Sequence, residues 1–371
     1  MEFIDISKFE INNILCNTVD VCLILKGFNQ DKITNKIIQR NGNRSFGLSY
    51  LDNPVERKYS SGLVFKLKLN QDSIDYKDIE KSKSKLTCIE PFDISLTNNL
   101  IAIASGNSIL LTDDNLNVLK NISNSWTSFL HSVQFNNDQD KILITSAGFD
   151  LVQEIDIQSG ETIWEWNSWD AGFSRSHLDN KIITRDINKL EYLHTIFNDA
   201  DIIAIRDIEK YPKEGIPTQI SPTRINGAYY DNENILISFY HREELLSINK
   251  DYQFTFINLF LLHPHFFKPF TFENKKHYFV TDSGRGRVLM LDQFFNVISV
   301  YNFATIESNI DIKVKFGEWL QTSNATVINS EIHFFVSDAL RSGIHIINIS
   351  TKQRRFIKIP NNWTLQAVVN I

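Results

Sequence analysis

Histidine, arginine and asparagine recur at one position of the repeated units in this chain, a combination suited to handling an anion. His131, Arg224 with Asn226, and His263 with His265 each stand where a run of alternating apolar and polar residues begins. Asn324 takes that place in a later unit, while Phe92 and Gln366 occupy or adjoin it in two others. Arginine offers a fixed fork of donors, and histidine donates, accepts or attacks according to its protonation. Around one funnel these groups would bind a small anionic or strongly polar molecule. His131 or His265 would then act as general acid/base or nucleophile, with Arg224 holding negative charge in the transition state. Residues so distant in sequence meet only if the fold brings the starts of the units together.

The clearest unit is 131–166, HSVQFNNDQDKILITSAGFDLVQEIDIQSGETIWEW. Four alternating runs broken by Asn, Asp and Gly clusters read as four antiparallel strands joined by tight turns, which is one blade of a β-propeller. Copies follow at 92–122, 225–259, 267–303 and 324–359, near the 40-residue spacing roughly expected of blades. Residues 48–77 supply GLSYL, GLVFKLKL and SIDYKDI as middle and outer strands of a closing blade. WTLQAVVNI, at the C-terminus, completes it as the innermost strand. Pairing strands from both ends ties the ring and removes free edges. The expectation is therefore an all-β, six-bladed propeller over 44–371. A seventh blade is the alternative if 168–222 hides a degenerate one. That stretch reads instead as an insertion across one face, with a helix near 188–198, and 1–43 as an extension with one strand at 19–25.

Two segments add a resemblance. TRINGAYYDNENILISFYHREELLSI and GETIWEWN resemble parts of the six-bladed bacterial arylsulfotransferases, over about a third of the chain. The resemblance implies a propeller, places Asn226 and His241 at family-like positions, and makes His265 or His131 the candidate histidine nucleophile. Arg224 stands where the family carries His, and Tyr240 where it carries Arg. The propeller is therefore carried forward rather than sulfuryl transfer. Transferase, lyase or hydrolase chemistry all remain open.

Plainer roles stand beside these. His131 could hydrogen-bond a neighbouring blade, and His263-Pro264-His265 could be a loop turn. His241-Arg242-Glu243-Glu244 fits a solvated turn. Arg285 and Arg287 in DSGRGR fit a hairpin whose glycines would also let a phosphate or carboxylate approach. Trp126, Trp164, Trp166 and Trp169 suit packing between blades.

Composition narrows the partners. With 371 residues, 42% hydrophobic and 22% charged, the chain has ample core, and a net charge of -6 argues against nucleic acid or a basic membrane patch. The 14 glycines are few for so many turns, so Asn and Asp must take left-handed positions instead. Cys16, Cys22 and Cys88 are an odd number and cannot form a closed set of disulfides. The N-terminus lacks the pattern of a signal peptide and no run could span a membrane, so the expected compartment is the cytoplasm. No P-loop, H-E-x-x-H, C-x-x-C or G-x-S-x-G occurs. No cofactor is evident. An axial divalent ion such as calcium stays open, because ligands from separate blades leave no spacing signature. The competing reading is a non-catalytic scaffold that binds a protein partner on a propeller face.

Overall fold

The structure is a computed structural model. It describes residues 1–26, 61–97, 99–177, 180–205, 215–216, 218, 220–306, 319–360 and 364–371. Six antiparallel sheets form the blades, five of them built on four consecutive strands and the sixth on the last strand of the chain with three from its N-terminal part. The first runs over Pro91–Leu96, Ile101–Ser105, Ser108–Thr112 and Val118–Ile122. The second runs over Leu130–Phe135, Lys141–Ser146, Leu151–Asp156 and Thr162–Asn167. The inner strands of the third, fourth and fifth are Ile225–Asp231, Pro264–Phe272 and Leu320–Ile328. Thr364–Asn370 is the inner strand of the sixth. The C-terminal strand thus closes a ring of six.

The rest of the closing blade differs from the sequence expectation. Its second strand is Asp20–Lys26, not a run after residue 44, and Ser61–Lys68 and Lys85–Ile89 follow. GLSYL lies outside the described residues. SIDYKDI is no strand: Asp75 caps helix α1 (Tyr76–Lys81) in a reciprocal capping box with Asp78, which satisfies amides that a helix start leaves bare. The N-terminal segment is part of the ring. Glu2–Asp5 and Glu10–Ile11 also add parallel fifth strands to the outer edges of the fourth and fifth blades.

The seams explain why DVCLILK became a second strand. Side chains alternate across a strand: Val21, Leu23 and Leu25 pack towards the fifth blade, while Cys22 and Ile24 pack towards the first. A strand buried on both faces needs apolar residues throughout, which is how this run reads. Each of the other four seams holds its own apolar cluster in the same way. Trp166 packs in the seam between the second and third blades. Cys22 and Cys88 lie in the closing seam as free thiols, and burial pushes both thiols up to about 12.

The insertion after the second blade carries a parallel pair, Lys181–Thr184 with Asp201–Ala204, joined through helix α2 (Leu190–Ile196). It is pinned to the second blade by buried Asp150. That carboxylate accepts from Trp169 Nε1 at 3.0 Å, Ser221 Oγ at 2.8 Å and the Thr223 amide at 3.3 Å. Phe149, Trp169, Ile183, Ile205, Ile216 and Ile220 pack around it. This places the insertion over the end of the ring where the inner strands begin.

Candidate functional site at the channel mouth

Every inner strand carries an irregularity near its start. The ladder to the second strand skips Phe92, His131, Asn226, Gln321 and Gln366 in five blades, and His265 with Phe266 in the fourth. A bulge leaves a residue out of the pairing and re-aims its side chain. Here six bulges at the same level of the ring gather one set of side chains at the mouth of the channel. Glu90, Phe129, Arg224 and His263, which precede four of these strands, have φ of 41, 51, 46 and 55°. Left-handed backbone at non-glycine residues costs of order 1 kcal/mol each and persists where surrounding structure holds it.

His131 stacks on Phe92, with centroids 4.2 Å apart, beside Phe129 at 4.6 Å. Its Nε2 is 3.5 Å from Nη2 of Arg224. The Arg224 guanidinium also donates to Thr218 Oγ1 at 2.7 Å and lies over Phe129 and Tyr240. His265 meets Tyr240 and Trp319 edge-on, 5.5 and 5.4 Å away. Its Nδ1 is 3.2 Å from the His263 carbonyl and 2.6 Å from Ser283 Oγ. The serine hydroxyl can donate to or accept from Nδ1, whereas the carbonyl can only accept, so the two contacts together hold the ring in place. His263 stacks on Tyr240 at 4.5 Å, with Nδ1 3.8 Å from Glu243. The mouth thus combines cationic donors, histidine and stacked aromatic walls.

Asn226 is the unusual member. It is 1% exposed, and among the described residues neither its Nδ2 nor its Oδ1 has a hydrogen-bond partner. An unsatisfied buried polar group costs about 1–3 kcal/mol, and this carboxamide has two.

Other candidates lie elsewhere. Asn324 sits three residues beyond Gln321, which holds the mouth position in the fifth blade. Its Nδ2 donates to the Val368 carbonyl at 2.7 Å, and its Oδ1 accepts from Lys268 at 3.1 Å. Arg285 donates to the Phe260 carbonyl at 2.9 Å, stacks on that ring, and lies 3.5 Å from Asp282. The DSGRGR turn is thus bound to its own loop. His241 flanks the mouth: it donates from Nδ1 to Ser221 O at 2.7 Å and stacks at 3.7 Å on His177 of the insertion.

Two groups escaped the sequence reading. Lys26, 3% exposed, ends the second strand of the closing blade with its ammonium 3.9 Å from the centroid of Phe92 and 3.5 Å from Glu90. Trp319 precedes the fifth inner strand and donates to Gln321 Oε1 at 2.7 Å. A lysine closing a wholly apolar run was the available signal for the first. Among the described residues no three His, Cys, Asp or Glu side chains gather to hold a metal ion, and no helix is long and apolar enough to cross a membrane.

Comparison with known proteins supports the architecture. No protein-family model matches the chain, and no curated protein does. A protein of unknown function from Bacteroides caccae aligns over 95% of this chain and 99% of its own at 10% identity, with a TM-score of 0.53. Virginiamycin B lyase from Staphylococcus aureus aligns over 73% and 70% at 10% identity, with a TM-score of 0.41. U3-55K aligns over 81% and 77% at 8% identity, with a TM-score of 0.45. At such identities the likeness concerns the fold alone. The chain is a six-bladed β-propeller protein. Nothing in these comparisons is specific to the arylsulfotransferases.

Proposed function

We propose that the chain binds, and acts on, a small anionic or strongly polar molecule at the channel mouth. The observation that carries this reading is Asn226: a buried carboxamide whose donor and acceptor are both unmatched among the described residues, at the bulge two residues after Arg224. A ligand offering an acceptor and a donor would satisfy both groups. Arg224 supplies charge complementarity, and the Tyr240, Trp319 and Phe129 rings supply apolar contact. His265, held by the His263 carbonyl and Ser283, and His131 beside Arg224 supply the groups for general acid/base chemistry.

The test is thermal unfolding of the pure protein against a panel of anionic metabolites and divalent ions, with Arg224→Ala as comparison. A ligand present at a hundred times its Kd stabilises the folded state by about 2.7 kcal/mol. A midpoint shift that disappears in Arg224→Ala supports the anion site. No shift with any ligand sinks it and favours the protein-binding scaffold.

A further inference from the structure

Below the mouth the channel is crossed by a second polar set that the proposed function does not use. Lys268 of the fourth blade reaches across it, its Nζ 4.7 Å from the Tyr229 ring centroid and 4.8 Å from that of Phe266. It donates to Asn324 Oδ1 at 3.1 Å. Asn324 is itself oriented by its amide donating to the Val368 carbonyl, so its oxygen is held towards the lysine. Asp93 of the first blade is fully buried. Its Oδ2 accepts from the Val133 amide and the Tyr229 hydroxyl, both at 3.2 Å. Among the described residues its Oδ1 has no hydrogen-bond partner, and it faces Nζ across 3.8 Å. That gap is too long for a charge-assisted hydrogen bond of about 2.8 Å. Two reactive groups therefore face each other without closing on each other.

The set is also reachable. The fourth and fifth inner strands are buried over their first four residues and more accessible after them, with Thr271 and Val327 exposed. Lys268 and Asn324 sit at that step, and the Lys268 side chain keeps 20% of its surface open. Burial pulls the Lys268 ammonium below its ordinary range, against the attraction of Asp93, and burial pushes the Asp93 carboxyl up. Each shift moves its group towards the uncharged form. A desolvated amine beside an acid is the arrangement that carbonyl condensation needs.

We propose that Lys268 and Asp93 form a second site, a carbonyl-condensation site for small aldehydes entering from the end of the channel remote from His131. The neutral Nζ attacks the carbonyl carbon, a C–N bond forms, and the C=O π pair moves to oxygen, which takes the Asp93 proton. Nitrogen returns a proton to Asp93. Asp93 then protonates the hydroxyl, which leaves as water while the nitrogen lone pair forms C=N, and the last N–H proton restores the acid. Amine and aldehyde give imine and one water, and Asp93 ends as it began. Asn324 is a positioning residue, holding one N–H so that the lone pair faces the gap.

The experiment treats the full chain at pH 7 with propanal and sodium cyanoborohydride, which reduces any imine to a stable propyl amine. Peptide mapping then compares labelling rates among the lysines. Lys268 is expected to label at least about tenfold faster than the surface lysines, with the half-maximal rate at a lower pH than theirs. Asn324→Ala should diminish this preference, while Arg224→Ala leaves it unchanged, so the outcome is separate from that of the mouth. Labelling of Lys268 at or below the rate of surface lysines, or with their pH profile, overturns the proposal.

Discussion

If the Asn226 carboxamide awaits a ligand, replacing it with an apolar side chain should stabilise the protein while destroying binding. Asn226→Leu removes two unsatisfied polar atoms, relieving about 1–3 kcal/mol for each. Leucine is bulkier, and overpacking takes back about 1–3 kcal/mol. The net expectation is a gain of about 1–3 kcal/mol without ligand. An unfolding entropy of about 2.1 cal/mol/K per residue, over 371 residues, makes 1 kcal/mol worth somewhat over 1 °C. The midpoint should therefore rise by about 1–4 °C. The assay is calorimetric unfolding of dialysed protein, with urea titration beside it. Ser238→Ala is the contrast on the neighbouring strand: its hydroxyl donates to the His265 carbonyl at 2.7 Å, so its loss should cost about 1 kcal/mol. Should Asn226→Leu instead destabilise by more than about 1 kcal/mol, the carboxamide is already satisfied in the free protein and the reasoning fails. Removing a polar group from a functional site often stabilises a fold in this way.

Four further variants test the scaffold. Arg355, 2% exposed, donates to the carbonyls of Leu15, Leu69 and Gln71 at 2.8–3.0 Å. Arg355→Met should cost about 3–5 kcal/mol in urea unfolding. Asp72→Asn should cost little, because that carboxylate is 62% exposed. Asp338→Asn should also cost about 3–5 kcal/mol, since it removes the buried carboxylate that faces Arg341 at 2.7 Å and His345 at 2.9 Å. Although burial pushes the Asp338 carboxyl up, His345 and Arg341 hold it below 3.8. Its contribution is therefore complete above pH 3.8 and lost as pH falls through the folded value, where the unfolded chain binds the extra proton. The gap between wild type and Asp338→Asn, followed by urea unfolding from pH 6 downwards, should narrow only below that point. Deleting 364–371 removes the inner strand of the closing blade and should abolish cooperative unfolding by circular dichroism, because the ring loses its tie.

The blades were legible because antiparallel strands alternate with a period of two, and each repeat carried its own turn residues. Asn and Asp stood in for glycine only in part: Asp150, Asn232, Asn274 and Asn329 have positive φ, but so do Leu116, Gln139, Glu243, Tyr252 and Lys352 among others. The closing blade was less legible. Its second and third strands, Asp20–Lys26 and Ser61–Lys68, are far apart in sequence, and no local pattern announces a partner at that distance. Side chains at the mouth were harder still. A bulge adds one residue to the count without a mark in the sequence, so repeat alignment placed Asn324 where Gln321 stands. It missed Lys26 because a second strand, rather than a first, delivers that side chain.

The most direct measurement is tryptophan emission during titration with whichever panel compound raises the unfolding midpoint, in wild type and in Trp319→Phe. Trp319 lies 5.4 Å from His265 and 6.2 Å from Tyr240, so a ligand at the mouth must alter its surroundings. The expected result is a saturable emission change in wild type that is absent from Trp319→Phe and lost in Arg224→Ala. A compound that stabilises all three proteins equally, with identical emission changes in wild type and Trp319→Phe, binds elsewhere and contradicts a channel-mouth site.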